Sequence, residues 1–489
     1  MKRLVTLIVT AGILFGFSAV AFAVDIKVKG KFDFGFGLYD GTSFTKHDGS
    51  ENFDALQRFR AQVDFVASES LKGVAAFEVG NTYWGSGGGA TWGGVAAGRG
   101  AGGAMGADGV AVEVRHLYLT WDVPQTDIQV RMGIQDFALP YAAERTDWMS
   151  GNYIFDDDAA GILLSYDFNE NFGTKLGWFR PWDGAVGSDS NIPGNRFGHD
   201  DEVDLFTLTM PIEVKDTFRL TPYGMFGLVG GDLSASYTGG NEFRQGLVGS
   251  WLSSNGSFGD DGKAWWAGLA FNLDYLDPFY AAFDFAYGSY TSDDTTSGWF
   301  NHTDPDRAGW VAIAKFGYKL DDFTPILFGW YGSGADVDGG DGMDGMLPVL
   351  SPFWGMTSFG WGQAHFGGRE YNVADSPAGI WAIGTGLEDI RFLDNLTTHL
   401  RFAYFQGTSD VEEYNKAAKA GGYKDAFRDY RVLDSSDWGV EINFDNKINI
   451  YENLDMYVQL AYIHMDVEHS ASDFQDNAWK SYVGFTYNF

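Results

Sequence analysis

In IKVKGKFDFGFGL (26–38) apolar and polar side chains alternate: Ile26, Val28, Phe32, Phe34 and Phe36 are interleaved with Lys27, Lys29, Lys31 and Asp33. QRFRAQVDFVA (57–67) repeats the pattern, with Phe59, Ala61, Val63 and Phe65 against Arg58, Arg60, Gln62 and Asp64. A period of two sends the two sets to opposite faces of a β-strand. The same unit recurs along the chain as an alternating run, a short polar turn, a second run and a long connection. Turns at 68–70, 124–127, 169–172, 214–217, 275–278, 319–322, 388–395 and 446–453 make eight hairpins. With a first and a last strand they predict an all-β antiparallel barrel of 18 strands, or 16 if one weak pair is misread, an even count in either case.

The connections differ sharply in length. One set is tight and rich in Asp, Asn and Pro, as turns require. The other set runs long, at 84–109, 230–262 and 334–376. Short turns on one side and long loops on the other are the arrangement of a transmembrane barrel, with the turns periplasmic and the loops extracellular. A sandwich has no reason to keep its long loops on one side, and a propeller would show a repeat of 40 to 50 residues, which is absent. Trp84, Trp121, Trp178, Trp182, Trp265, Trp266, Trp310, Trp330, Tyr331 and Trp479 fall near strand ends, which predicts interfacial girdles.

Residues 1–23 have Lys2 and Arg3 before an apolar run and close on Ala21, Phe22 and Ala23, so they read as a cleaved export signal. Residues 24–489 then form a single barrel domain. After the signal no stretch reaches the roughly 20 apolar residues of a membrane helix. The chain has no Cys, 66 Gly and 17% aromatic residues, so disulfides play no part. Without Lys2 and Arg3 there are 31 basic against 66 acidic residues, which argues against a nucleic-acid partner.

The opening VDIKVKGKFDFGFG, the pair FRAQVDFVASESLKGVAAFEVGNTYWG, the hairpin VRHLYLTWDVPQTDIQVRMGIQDFALP and the closing YVGFTYNF resemble the general porins of Gram-negative outer membranes. Most closely they resemble the homotrimeric porins of sulfate-reducing bacteria. The resemblance implies a homotrimer in the outer membrane, in contact with lipid and lipopolysaccharide. It also implies that Phe485, Tyr487 and Phe489 are the signal read by the outer-membrane assembly machinery. A third loop folded into the barrel as a constriction follows in the same way; here that is 138–161, with Glu144, Asp147, Asp156, Asp157 and Asp158 as its acids.

Opposite such a loop, porins carry a basic ladder. The lumen-facing parity supplies Lys27, Lys29, Lys31, Arg58, Arg60 and Arg131, while Arg115 sits on a strand with apolar residues on both parities. Acids facing bases would set up a transverse field across the pore. No hydrolase, zincin or Walker pattern occurs. GRGAGG (98–103) lies in a Gly-rich loop without strand and helix around it, and Asp336, Asp338, Asp341 and Asp344 lack EF-hand spacing, so no enzyme, cofactor or metal site is expected. The expected function is passive diffusion of small hydrophilic solutes and ions. The alternatives are a sugar- or anion-specific channel of the maltoporin type, with Tyr457, Tyr482 and Phe179 as lumen aromatics, and a surface adhesin.

Overall fold

The computed structural model describes residues 24–42, 44, 52–85, 112–143, 151–183, 202–230, 247, 261–292, 306–335, 345–352, 354–361, 365–366, 376–410, 433–468 and 474–489. Residues 1–23, expected to be an export signal, Glu144, Asp147, the GRGAGG stretch and the Asp336–Asp344 cluster lie outside them. The strand segments are β1 (Asp25–Asp40), β2 (Asn52–Ser68), β3 (Leu71–Tyr83), β4 (Val112–Asp122), β5 (Ile128–Ala138), β6 (Asp156–Asn169), β7 (Phe172–Asp183), β8 (Glu202–Thr209), β9 (Ile212–Val214), β10 (Phe218–Val229), β11 (Gly262–Leu273), β12 (Phe279–Ser292), β13 (Arg307–Tyr318), β14 (Thr324–Gly332), β15 (Ile380–Leu393), β16 (Leu396–Gly407), β17 (Trp438–Tyr451), β18 (Leu454–Asp466) and β19 (Asn477–Asn488).

Each segment pairs antiparallel with its neighbour, and β1 pairs with β19, from Lys31 opposite Asn488 to Asp40 opposite Trp479. The sheet is therefore a closed barrel with no free edge, which also removes the template for unwanted strand pairing. Both β8 and β9 lie between β7 and β10, as two parts of one strand. The break falls at Met210–Pro211, where proline has no N–H to give to the ladder. The count is thus 18 spanning strands, as the alternation predicts.

Two predicted turns shrink. EDIRFLDN (388–395) is mostly strand: β15 runs on to Leu393 through a bulge at Asp389, whose φ is +51°, and the turn is Asp394–Asn395. NKINIYEN (446–453) likewise lies in β17 up to Tyr451. A bulge reverses the parity beyond it, so the broken alternation there looks like a turn in the sequence.

Along β1 the even positions Ile26, Val28, Phe32 and Leu38 are exposed, while Asp33, Gly35, Gly37 and Tyr39 are buried inside. Large apolar side chains lie exposed on strand after strand, among them Leu117, Leu119, Ile162, Leu164, Phe226, Leu228, Phe402 and Ile442. A continuous outward band of this kind is stable only against lipid. No helix of the described residues is long and apolar enough to cross a membrane, and the strands make the crossing. Trp84, Trp121, Trp178, Trp265, Trp310, Tyr331 and Trp479 are exposed as girdle residues should be. Trp266 and Trp330 are not: they are 2% and 4% exposed and point into the barrel. Adjacent Trp265 and Trp266 cannot share one face of a strand, and what Trp266 meets inside is a loop.

Candidate functional site

Two loops enter the lumen and pack on each other. Loop 3 joins β5 to β6 and loop 7 joins β14 to β15. In loop 3, the N–H groups of Ala142 and Ala143 donate to the buried Asp284 carboxylate of β12 at 2.8 and 2.7 Å. Asn152 donates to the Pro140 carbonyl at 2.9 Å and accepts from the Ile154 N–H at 2.7 Å, which closes the loop on itself. Tyr153, Ile154 and Phe155 are fully buried, and burial holds the Tyr153 hydroxyl neutral, far above its usual range. Loop 3 therefore presents an uncharged core to the loop beside it.

That neighbour is loop 7. The Leu350 N–H donates to the Ile154 carbonyl at 2.9 Å, the Asp156 N–H to the Ser351 carbonyl at 2.8 Å, and Trp354 Nε1 to the Tyr141 hydroxyl at 3.0 Å. Inward Trp266 donates to the Pro348 carbonyl at 2.8 Å, and Trp330 packs edge-on against Trp354. Arg307 of β13 donates to the carbonyls of Met346 and Leu347, both at 3.0 Å. Further along, the Gly360 N–H reaches Glu441 of β17 at 3.1 Å, and Lys480 of β19 holds the Ser358 carbonyl. Loop 7 thus covers the inner wall from β11 round to β19.

The covered wall contains buried charge. Glu388 accepts Lys315 at 2.8 Å and Arg401 at 2.6 Å, with all three side chains almost solvent-free. Sequence reading placed the basic residues on early strands and passed over Arg307, Lys315, Arg401 and Lys480. Strand parity marks them: in HLRFAYF, Arg401, Ala403 and Phe405 are buried while Leu400 and Phe402 face lipid.

The six predicted ladder cations divide along the early strands, where loop 7 reaches only in part, with its Phe366 ring 4.2 Å from the Arg58 guanidinium. Lys27 and Lys29 lie on the part of β1 beyond its pairing with β19, exposed at the turn end of the barrel. Arg58, Arg60, Lys31 and Arg131 line the interior with side chains 13%, 27%, 36% and 31% exposed. Each has an acid beside it: Arg58 and Lys31 share Asp33 at 3.0 and 3.4 Å, Arg60 meets Glu78 at 2.5 Å, and Arg131 stands 3.7 Å from Asp136. These pairs weaken the transverse field expected from bases on one side alone. A bulge opposite Ala76 and Phe77 leaves Arg115 out of register, which is why its strand carries apolar residues on both parities.

The segment 138–161 is not wholly loop. Ala138 closes β5, and Asp156, Asp157 and Asp158 open β6, paired with Ala138, Phe137 and Asp136. Asp158 binds Arg115 at 2.7 Å and His116 at 2.9 Å, and Asp157 accepts from Ser351 at 2.8 Å. Asp156 borders a cavity of about 460 Å³ beneath loop 3, which Arg131, Asp136, Tyr141, Lys175 and Thr209 also line. The aromatic candidates are covered: Phe179 stacks on Phe137, and Tyr457 and Tyr482 lie under His365 of loop 7.

No protein-family model matches the chain, and no curated protein matches it in sequence. Solved structures match over nearly the whole length. OpdO of Pseudomonas aeruginosa is 11% identical over 95% of this chain and 97% of its own, with a TM-score of 0.52. OccK8 (OprE) of the same organism is 12% identical over 95% and 98%, at 0.51. OccAB3 of Acinetobacter baumannii is 12% identical over 95% and 100%, at 0.50. The fold is that of these outer-membrane porins, and with its lipid-facing band the chain is a multi-pass β-barrel of the outer membrane.

Proposed function

We propose that the protein is a porin through which small hydrophilic solutes and ions diffuse passively. The observation that carries this reading is the contrast between the two walls. Arg307, Lys315, Arg401 and Lys480 are sealed behind loop 7, whereas Lys31, Arg60 and Arg131 remain solvent-accessible between β1 and β5. A path confined to one side of the lumen and lined with hydrated ion pairs passes polar solutes and disfavours apolar ones. Such transport calls on no catalytic group.

In this reading the constriction is made by loops 3 and 7 jointly, not by loop 3 alone, with Asp156 at its inner edge. Release of an export signal at 1–23, insertion directed by Phe485, Tyr487 and Phe489, and assembly as a homotrimer among lipopolysaccharide complete the proposal. Reconstitution into planar bilayers under a salt gradient tests it. Stepwise conductance is expected, and its complete absence would leave the adhesin reading in place.

A second reading is a channel specific for small carboxylate-bearing solutes, favoured by Arg131 and Lys175 in a cavity where Asp136 and Asp156 stand beside them, a mixed lining suited to a solute that carries both charges. A sugar track of the maltoporin type has less support, because Phe179, Tyr457 and Tyr482 are at most 5% exposed. Solute block of the ion current separates the two: a carboxylate should block and an oligosaccharide should not.

A further inference from the structure

The ladder between β4 and β5 stops partway up the wall. Its last pair is Leu117 with Ile134, and from Val112 to His116 β4 has no partner strand on that side among the described residues. The pairing of β6 with β7 likewise ends at Ala160 opposite Arg180, while β5 and β6 stay paired to each other as far as Ala138 and Asp156. The top of this hairpin therefore leaves the cylinder as a unit and carries loop 3 inward, where Phe137 stacks on Phe179. It leaves a notch that Arg115 and His116 bridge to Asp158 with side chains instead of a ladder. Val114, exposed on the outer face, lies seven residues from Trp121 at the turn end of β4. On a strand tilted by ~40° that is a climb of roughly 18 Å, within an apolar band about 25 Å tall. Lipid satisfies neither an open backbone edge nor the charges beside it.

Below the notch the outer surface is concave. Gly73 and Ala75 of β3 lie between Phe65, Leu117, Leu119 and Met132 and leave a groove of about 300 Å³. Beside it Val112, Val114 and Leu117 project from the same wall. The extracellular girdle is missing here as well. On later strands Trp310 meets Tyr331, and Trp381, Tyr404 and Trp438 follow one another, with ring centroids 5.0 to 6.0 Å apart. At the same end of β4, β5 and β6 the outward residues are Val112, Val114, Ile134, Ala160 and Ile162, with no ring among the described ones. A wall without headgroup anchors, open at bilayer depth and grooved below, is a wall that protein covers. We propose that the outer face from β3 to β6 is where one copy of the chain packs on the next, an inference that rests on the homotrimer proposed above. Knob and hole lie side by side, so the projecting valines of one copy meet the groove of its neighbour, a head-to-tail contact that closes into a ring about the membrane normal. A lipid chain fills the groove but leaves the β4 edge bare, whereas a second copy covers both and shuts the lumen off from lipid.

The chain has no Cys, so introduced thiols report on this contact alone. Val114→Cys and Leu119→Cys are combined in one chain, knob and hole together, and Leu400→Cys with Phe402→Cys on β16 serves as the control wall. Native outer membranes are treated with a short bismaleimide, and the heat-denatured products are sized by gel. Covalent dimers and trimers are expected from the β4 pair and monomers alone from the β16 pair. Gly73→Leu fills the groove while sparing the barrel, since a Cβ there would meet Phe65 Cβ at an ordinary 3.8 Å. It should keep the heat-modifiable form and lose the covalent oligomers. Monomers alone from the β4 pair, equal cross-linking on β16, or full cross-linking in the Gly73→Leu chain overturns the assigned wall. A monomeric mass for the detergent-extracted parent overturns the homotrimer with it. Conductance is recorded separately in planar bilayers, so failure of the contact stands apart from failure of the pore.

Discussion

Phe489 and Gly30 exchange two main-chain hydrogen bonds, N–H to carbonyl in each direction and both 3.0 Å long. The Phe489 ring stacks on Phe59, with centroids 6.2 Å apart, and lies 6.0 Å from Phe32 on the lipid side of the same seam. This one residue joins β1, β2 and β19. Deleting Phe489 should lower the yield of heat-modifiable barrel in outer membranes, read by gel mobility with and without heating; an unchanged yield would count against its role in assembly. Gly30→Val should act in the same direction, since even a Cβ at position 30 would stand 2.7 Å from the Phe489 ring.

Glu388 neutralises two cations in a space nearly free of solvent. Glu388→Gln would leave Lys315 and Arg401 buried around a neutral amide. Breaking a buried pair in this way costs roughly 3–5 kcal/mol. A lower urea midpoint for loss of the heat-modifiable form is expected, and an unchanged midpoint would mean that water already reaches the cluster.

The Asp284 carboxylate is what fixes loop 3 to β12. Each charge-assisted bond to a backbone N–H contributes about 1.5–3 kcal/mol, so Asp284→Ala should free the Ala142 end of the loop. Single-channel records should become noisier, with altered conductance, while the barrel still folds. Quiet records identical to those of the parent would show that loop 7 alone holds loop 3 in place.

Arg60→Ala removes an accessible cation and leaves Glu78 unpaired at the lumen wall. The reversal potential under a salt gradient should move toward cation preference. Lys480→Met, behind loop 7, should leave selectivity unchanged and act on stability instead. An equal shift from both would mean that the two walls are equally wetted.

Strand number and the facing of β1 and β2 were legible because lipid on one side and a polar interior on the other impose the alternation directly. Which loop fills the lumen was not legible to the same degree. Loop 7 binds through backbone carbonyls of Met346, Leu347, Pro348 and Ser358, and a carbonyl leaves no mark in a sequence. The signal that could have been used lay on the wall: Trp266, Trp330 and Arg401 are too large or too charged to be left facing a void. Of the predicted constriction acids, Asp157 and Asp158 are engaged by Ser351 and by Arg115 with His116, partners far off in sequence.

Asp33 and Thr486 sit directly opposite each other across the seam, and the His365 contacts depend on both sides of it. The surface under the loop tip is shared across the seam: His365 meets Tyr482 and Thr486 of β19, and Phe366 lies against Arg58 of β2, so it is complete only when the first strands meet the last. Docking of His365 is thus a report, written inside the molecule, that the cylinder has closed in the correct register. A barrel sealed one pair out of step would offer the tip a mismatched surface and leave it without a berth.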